Sequence, residues 1–377
     1  MESKRIARRS CVLALSAAAM FIAGCHEEEA WEPMAEQKIY VADKFFDVHV
    51  ADAKRAQVIG YGGKIIETTD GGSTWKQVES GTDRALYSID FAKDGKTGWI
   101  VGQQGLILKT TDGGTTWAPQ KAEVWLDQGC KDPKERLLRP EDKPCQYAYL
   151  FAVSVIDEQN VAAIGDKSIY VRTHDGGKTW DVETLKFAQT DVDADLMLAF
   201  EDPVLYDVDF LDANNGYIVG EFGKIYHTTD GGTTWSQQQE SVMDDSVLDI
   251  LDLPTFFDVE FRDSQHGIAC GLDGRIATTD DGGNDWNFVQ SNVAEYIDPF
   301  YSATILPNGI RWVVGSSGQA VMAEPGKPFA KGNLGSEIYS WLRRIRFLDD
   351  KVGWLVGGFG LVMSTEDGGK TWYRRIG

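Results

Sequence analysis

Thr68-Thr69-Asp70-Gly71-Gly72-Ser73-Thr74-Trp75 is the stretch that decides how this 377-residue chain folds. It recurs as Thr110 to Trp117, Thr173 to Trp180, Thr228 to Trp235, Thr279 to Trp286 and Thr365 to Trp372, with a decayed copy at Ala323-Glu324-Pro325-Gly326-Lys327-Pro328-Phe329. The closing aromatics fall at 75, 117, 180, 235, 286, 329 and 372, so a unit of about 42 residues repeats seven times with insertions. Within the turn, the Asp carboxylate can accept hydrogen bonds from its own backbone N–H groups. The glycines permit left-handed φ, and the tryptophan buries a large surface that pins the returning strand.

Working outward, each unit has the same order. A strand such as Phe45-Phe46-Asp47-Val48-His49-Val50 is followed by a second ending in glycine, such as Gly98-Trp99-Ile100-Val101-Gly102. A short hairpin follows, as in Gly220-Glu221-Phe222-Gly223, whose glycines suit positive φ. A third strand leads into the Asp turn and a fourth leaves the tryptophan. Four antiparallel strands repeated seven times predict an all-β, seven-bladed β-propeller over residues 44–377. The 40 glycines agree with many tight turns.

The N-terminus reads as a targeting segment, residues 1–24, followed by an anchor or linker, 25–43. Lys4, Arg5, Arg8 and Arg9 precede an apolar run from Cys11 to Ala23, too short to span a bilayer comfortably. Ile22-Ala23-Gly24-Cys25 resembles the lipobox of bacterial lipoproteins, a resemblance that implies diacylation of Cys25 and an exported, lipid-anchored protein of the cell envelope on the periplasmic or thylakoid-lumen side. The alternative is an ordinary signal peptide with Cys25 incidental. Acyl chains anchor at about 0.8 kcal/mol per buried methylene.

Loss of Lys4, Arg5, Arg8, Arg9 and Glu2 on cleavage takes the formal charge from −21 to −24. That charge argues against nucleic acid, with no counterions to release from phosphates, and against an anionic membrane surface. In an oxidising compartment Cys130 and Cys145 are the obvious disulfide. Cys270, in an apolar strand, reads as a small buried hydrophobe.

The repeat breaks in three insertions, at about 122–146, 186–203 and 238–254. Long excursions on a rigid scaffold are either binding elements or surface decoration. Asp191-Val192-Asp193-Ala194-Asp195 begins like a calcium loop, but Leu196 stands where glycine is needed, so no metal is expected there. Aligning the first strands by their alternation puts Asp47/His49, Ser88/Asp90, Ala152/Ser154, Asp207/Asp209, Asp258/Glu260, Ser302/Thr304 and Arg344/Arg346 on the channel side. Acids thus occupy four blades and arginines the last. Arg343, Arg374 and Arg375 make the seventh blade more broadly basic. Two readings follow. Arg344 and Arg346 pair with Asp47 to close the ring, or the arginines form a patch that recognises carboxylates of a partner. Lys38 to Val41 is a candidate extra strand at the closure.

The repeated turn resembles the Asp-box of sialidases and related propellers. The resemblance specifies fold rather than chemistry, and gives Asp70, Asp112, Asp175, Asp230, Asp281 and Asp367 a structural role. Sialidase-like catalysis would need arginines from separate blades and an F/Y-R-I-P segment, neither of which is present. Asp207, Asp209, Asp258 and Glu260 could supply the carboxylate pair of a glycoside hydrolase, but no spacing singles out one pair. No nucleophile–histidine arrangement stands out, so no catalytic residue and no cofactor is expected.

The seven units, the G-x-x-G hairpins, the T-T-D-G-G-x-T-W turns and strand pairs such as Tyr87-Ser88-Ile89-Asp90-Phe91 with Gly98-Trp99-Ile100-Val101-Gly102 resemble the photosystem II stability/assembly factor propellers and their bacterial relatives, over about residues 44 to 377. The resemblance implies a non-enzymatic scaffold that holds a membrane-protein complex or its assembly intermediate, in part through an arginine-rich surface. Arg343, Arg344, Arg346, Arg374 and Arg375 are the candidate counterpart. The insertions exceed the photosynthetic pattern, which leaves open another client, such as an envelope transporter served by an accessory subunit.

Overall fold

The computed structural model describes residues 37–126, 146–186, 202–238, 254–289 and 298–375. Residues 1–36, with Cys25 among them, and Cys130, Cys145 and Asp191 to Asp195 lie outside the described residues. Seven four-stranded antiparallel sheets follow one another, each built from strands consecutive in sequence. Blade 1 comprises β1 (Phe45–Val50), β2 (Ala56–Gly60), β3 (Ile65–Thr68) and β4 (Lys76–Val78). The innermost strands of blades 2 to 7 are β5 (Leu86–Phe91), β9 (Leu150–Val155), β13 (Leu205–Phe210), β17 (Phe256–Phe261), β21 (Phe300–Ile305) and β25 (Leu342–Phe347). The second strands, such as Val161–Gly165 and Gly267–Gly271, are buried along their whole length, apart from the half-buried Arg311 in blade 6. Their continuous apolar runs are those of strands covered on both faces by neighbouring blades.

The G-x-x-G hairpins use their glycines in two different ways. The first glycine has extended φ, −166° at Gly60 and −172° at Gly102. It is required because a Cβ on Gly60 would collide with the Lys44 carbonyl, and one on Gly357 with the Trp341 carbonyl. The last glycine, as in Gly223 (φ 66°) and Gly360 (φ 64°), sits in the left-handed region, as does the inner Gly62 (φ 69°) of the first hairpin.

Each Asp-box tryptophan packs against the blade before its own. Trp75 of blade 1 lies edge-on to Trp354 of blade 7, centroids 5.8 Å apart, and Trp372 of blade 7 lies edge-on to Trp312 of blade 6 at 5.9 Å. In the decayed sixth turn Phe329 takes the tryptophan's place and is fully buried. Radial stacking thus gives each marginal blade its missing buried face.

Blade 7 has its full four strands, ending in its own C-terminal strand β28 (Tyr373–Arg374), without a strand from the N-terminal segment. Lys38 to Val41 accordingly forms no strand, contrary to the expectation. Ile39 instead inserts its side chain into the cluster shared by blades 7 and 1, beside Trp354 and Val356. The Gly360 N–H donates to the Asp43 carbonyl at 2.8 Å, and the Asp43 carboxylate pairs with Lys64 at 2.5 Å.

Candidate functional site

The channel positions are as the alternation places them. Each innermost strand is a sheet edge with free N–H groups, and a polar side chain of the preceding blade accepts from them. Ile89 N–H donates to Asp47 Oδ2 (3.0 Å), Val155 N–H to Asp90 Oδ2 (2.7 Å), and Phe210 N–H to Ser154 Oγ (3.0 Å). Around the ring, Val259 N–H donates to Asp207 Oδ2 (3.1 Å), Ala303 N–H to Asp258 Oδ2 (2.7 Å), and Ile345 N–H to Ser302 Oγ (3.3 Å). The six junctions from blade 1 to blade 7 therefore carry the same side-chain-to-backbone stitch.

The seventh junction reverses it. Arginine has no acceptor, so Arg346 donates from Nε and Nη2 to Asp47 Oδ1 and Oδ2 at 3.1 and 3.3 Å. Arg344, only 6% exposed, reaches across the channel. It hydrogen-bonds Asp258 and lies 3.5 Å from Asp47 and 3.7 Å from Asp207. Burial pushes the Asp47 carboxyl up, but Arg346 and Arg344 outweigh it and hold it below its usual value. Asp207, pushed up by burial and by the adjacent Asp258 against the pull of Arg344, titrates well above the ordinary range. Burial raises Asp90 and Asp209 to about 6 and Glu260 to about 7. His49, desolvated and close to Arg346, falls to about 4 and stacks on Phe91 at 4.1 Å. What remains of the channel at this level is a polar cavity of about 60 Å³ lined by these groups. It has room for a few waters.

The five arginines singled out by sequence therefore part company. Arg344 and Arg346 belong to the hub. Arg343 donates from Nη1 to the Tyr301 carbonyl at 3.1 Å and lies over the Tyr301 ring. Arg374 is exposed and lines a groove with Tyr339 and Phe359. Arg375 is held by Ser364 Oγ at 2.8 Å and packs beside Gly72 of blade 1. The Asp-box aspartates sit in their turns. Asp70 Oδ1 accepts from the N–H groups of Ser73 (3.0 Å) and Thr74 (2.9 Å) and from Thr68 Oγ1 (2.8 Å), and its Oδ2 accepts from Thr74 Oγ1 at 2.6 Å. Those donors, led by Thr74, hold its pKa at about 2. The contact between Asp and the residue four further on recurs at Asp112, Asp175, Asp230, Asp281 and Asp367.

One set of channel residues escapes the period-2 reading. Every innermost strand carries a bulge at its second residue, recorded as a register shift such as that between Phe45 and Asp47. A bulge turns an extra side chain toward the same face. The bulged residues are Phe46, Tyr87, Phe151, Tyr206, Phe257, Tyr301 and Arg343, and all are half-buried. Adjacent rings approach around the axis, with centroids at 5.4, 5.7, 5.8, 5.0 and 5.8 Å from Phe46 through to Tyr301. Arg343 over Tyr301 at 6.0 Å and Trp341 stacked on Phe46 at 5.9 Å complete the collar. The signal was present as an aromatic column at one offset of the repeat, but strict alternation assigns that offset to the opposite face.

A seven-bladed Asp-box propeller with a sealed hub is thus the class to which the chain belongs. The sequence model of the photosynthesis system II assembly factor YCF48 family matches residues 25–128 and 188–253, less than half of the chain. Two solved structures of that kind are similar. YCF48 bound to D1 peptide is 18% identical with a TM-score of 0.63, covering 88% of this chain and 94% of that one. YCF48 from Cyanidioschyzon merolae is 24% identical with a TM-score of 0.57, covering 80% and 88%. An ancestral GH74 enzyme shares the fold at 12% identity and a TM-score of 0.61, over 92% of this chain and 47% of that one. No curated protein matches. The chain is therefore a seven-bladed propeller similar in fold to these YCF48 structures, and part of its sequence matches the family's model.

Proposed function

We propose that this protein is an exported, Cys25-anchored scaffold that binds a membrane protein or its assembly intermediate and performs no reaction itself. The observation that carries this reading is the sealed hub. The channel carboxylates and Arg344, the groups from which a catalytic site would be assembled, are engaged in joining blades, and the space between them is only about 60 Å³. Recognition is then left to the outer surface. The likeness to YCF48, one structure of which holds a D1 peptide, supports a polypeptide as the thing recognised. The identity of the client, a photosystem component or a transporter, is for experiment.

The test is affinity capture of the full chain from detergent-solubilised membranes of its host, alongside Cys25→Ala. A single integral membrane protein in comparable amount is the expected companion, with the variant lost from the membrane fraction. Recovery of the chain alone, or turnover of any member of a glycoside panel, overturns the reading.

A further inference from the structure

The two mouths of the channel differ, and the difference points to a docking surface. The bulges, the G-x-x-G hairpins and the lead-in to every innermost strand are at one mouth, and the Asp-box turns are at the other, because strands alternate in direction. Among the described residues ten large hydrophobic side chains are exposed, and seven of them (Tyr40, Val41, Tyr61, Tyr147, Leu272, Tyr339 and Phe359) lie on the hairpin side. Of the other three, Phe288 and Tyr373 are on outermost strands and Leu348 is on the Asp-box side. Single exposed apolar residues need no explanation, but a one-sided collection around an aromatic collar does.

The concentration is greatest where blades 6, 7 and 1 meet. Tyr339 is 83% exposed, and Phe359 is 60% exposed although its backbone is left-handed (φ 55°). A bulky residue is disfavoured there, and solvent-facing placement gives folding nothing in return. Both line a groove of about 230 Å³ with Arg374, which pairs with no carboxylate among the described residues, and with Glu337, whose carboxylate is taken up by the Tyr339 hydroxyl. Lys44 lies over Tyr61 at 5.5 Å, and Arg343 closes the collar. On a chain of net charge −21 this sector combines aromatic faces with cations.

We infer that the hairpin-side mouth, from the aromatic collar to the Tyr339–Phe359–Arg374 groove, docks an extended partner segment that carries apolar side chains and carboxylates. The apolar groups lie on the rings, which give large contact areas at small entropy cost, and the carboxylates meet Arg374, Arg343 and Lys44. An anionic bilayer is disfavoured by the charge of the whole molecule. This inference rests on the scaffold reading above and locates its site.

The probes are three fluorescein-labelled twelve-residue peptides. One is rich in Leu, Phe and Asp, a second has Lys in place of Asp, and a third has Ser in place of Leu and Phe. Binding is followed by anisotropy of the labelled peptide. The first peptide should bind, and the other two should bind at least about tenfold more weakly. Tyr339→Ser with Phe359→Ser, and separately Arg374→Glu, should each weaken it by a similar factor. Phe288→Ser with Tyr373→Ser on the outer strands should not. Equal binding by all three peptides, or equal losses in the outer-strand variant, overturns the proposal. So does binding to phosphatidylglycerol vesicles that is stronger than peptide binding and lost in the same variants. If Tyr339→Ser with Phe359→Ser still captures the membrane protein from host membranes, this site fails while the scaffold reading stands. If the wild-type chain captures none, the scaffold reading fails.

Discussion

At the scale of single residues, the hub explains why acids and arginines share the channel positions. Three carboxylates converge on Arg344, so its removal leaves buried charge uncompensated, which typically costs 3–5 kcal/mol. Arg344→Met should lose about that much in urea unfolding. Arg346→Ala should lose less, since the Arg346 side chain is 33% exposed and Asp47 retains Arg344. Glu260 gives a prediction of opposite character. Burial lifts its carboxyl from the ordinary 4.5 to about 7. Between those values the native chain binds the proton more tightly than the unfolded chain, so stability falls as pH rises and the cost is complete above pH 7, at up to about 1.4 kcal/mol per pH unit of that window. Glu260→Gln retains the acceptor for Ile305 N–H and Thr304 Oγ1 and does not titrate. It should melt above the parent at pH 8 and converge with it near pH 4. A constant difference across that range would refute the assignment.

At the scale of elements, the tryptophan of each Asp-box turn acts between blades. Trp75→Ala opens the blade 7–blade 1 contact against Trp354 and should cost about 3–5 kcal/mol. The turn itself should remain intact, because Asp70 and Thr68 supply its hydrogen bonds. Amide exchange that stays slow at Gly72 and Thr74 in the variant would confirm that separation of roles. The element scale also shows where sequence was sufficient. The Asp-box, the second strands and the Asp47-type channel positions were legible because each depends on a local period or turn chemistry that repetition makes loud. The collar was not, because a bulge breaks the alternation. The role of Arg344 was open because its partners Asp207 and Asp258 lie more than eighty residues away in sequence.

At the scale of the whole molecule, closure depends on side chains rather than a shared sheet. Deleting Lys38 to Asp43 removes Ile39 from the seam and the carbonyl that Gly360 donates to. The shortened chain should still form seven blades but unfold at lower temperature, with the change in exchange concentrated in blades 1 and 7. An unchanged melting temperature would mean that the seam is held by the arginines and the Trp75–Trp354 contact without help from this segment.

The reversed stitch at the seventh junction has one more consequence. Arg344 meets carboxylates from blades 1, 4 and 5 together, which requires those blades to stand at set angles about the axis. The side chain is therefore a gauge of blade number. A chain with one repeat excised or duplicated could still stack its blades, but the guanidinium would no longer find all three carboxylates. Such a ring should close as a mixture of forms, so that a single buried arginine protects the protein against miscounting its own repeats.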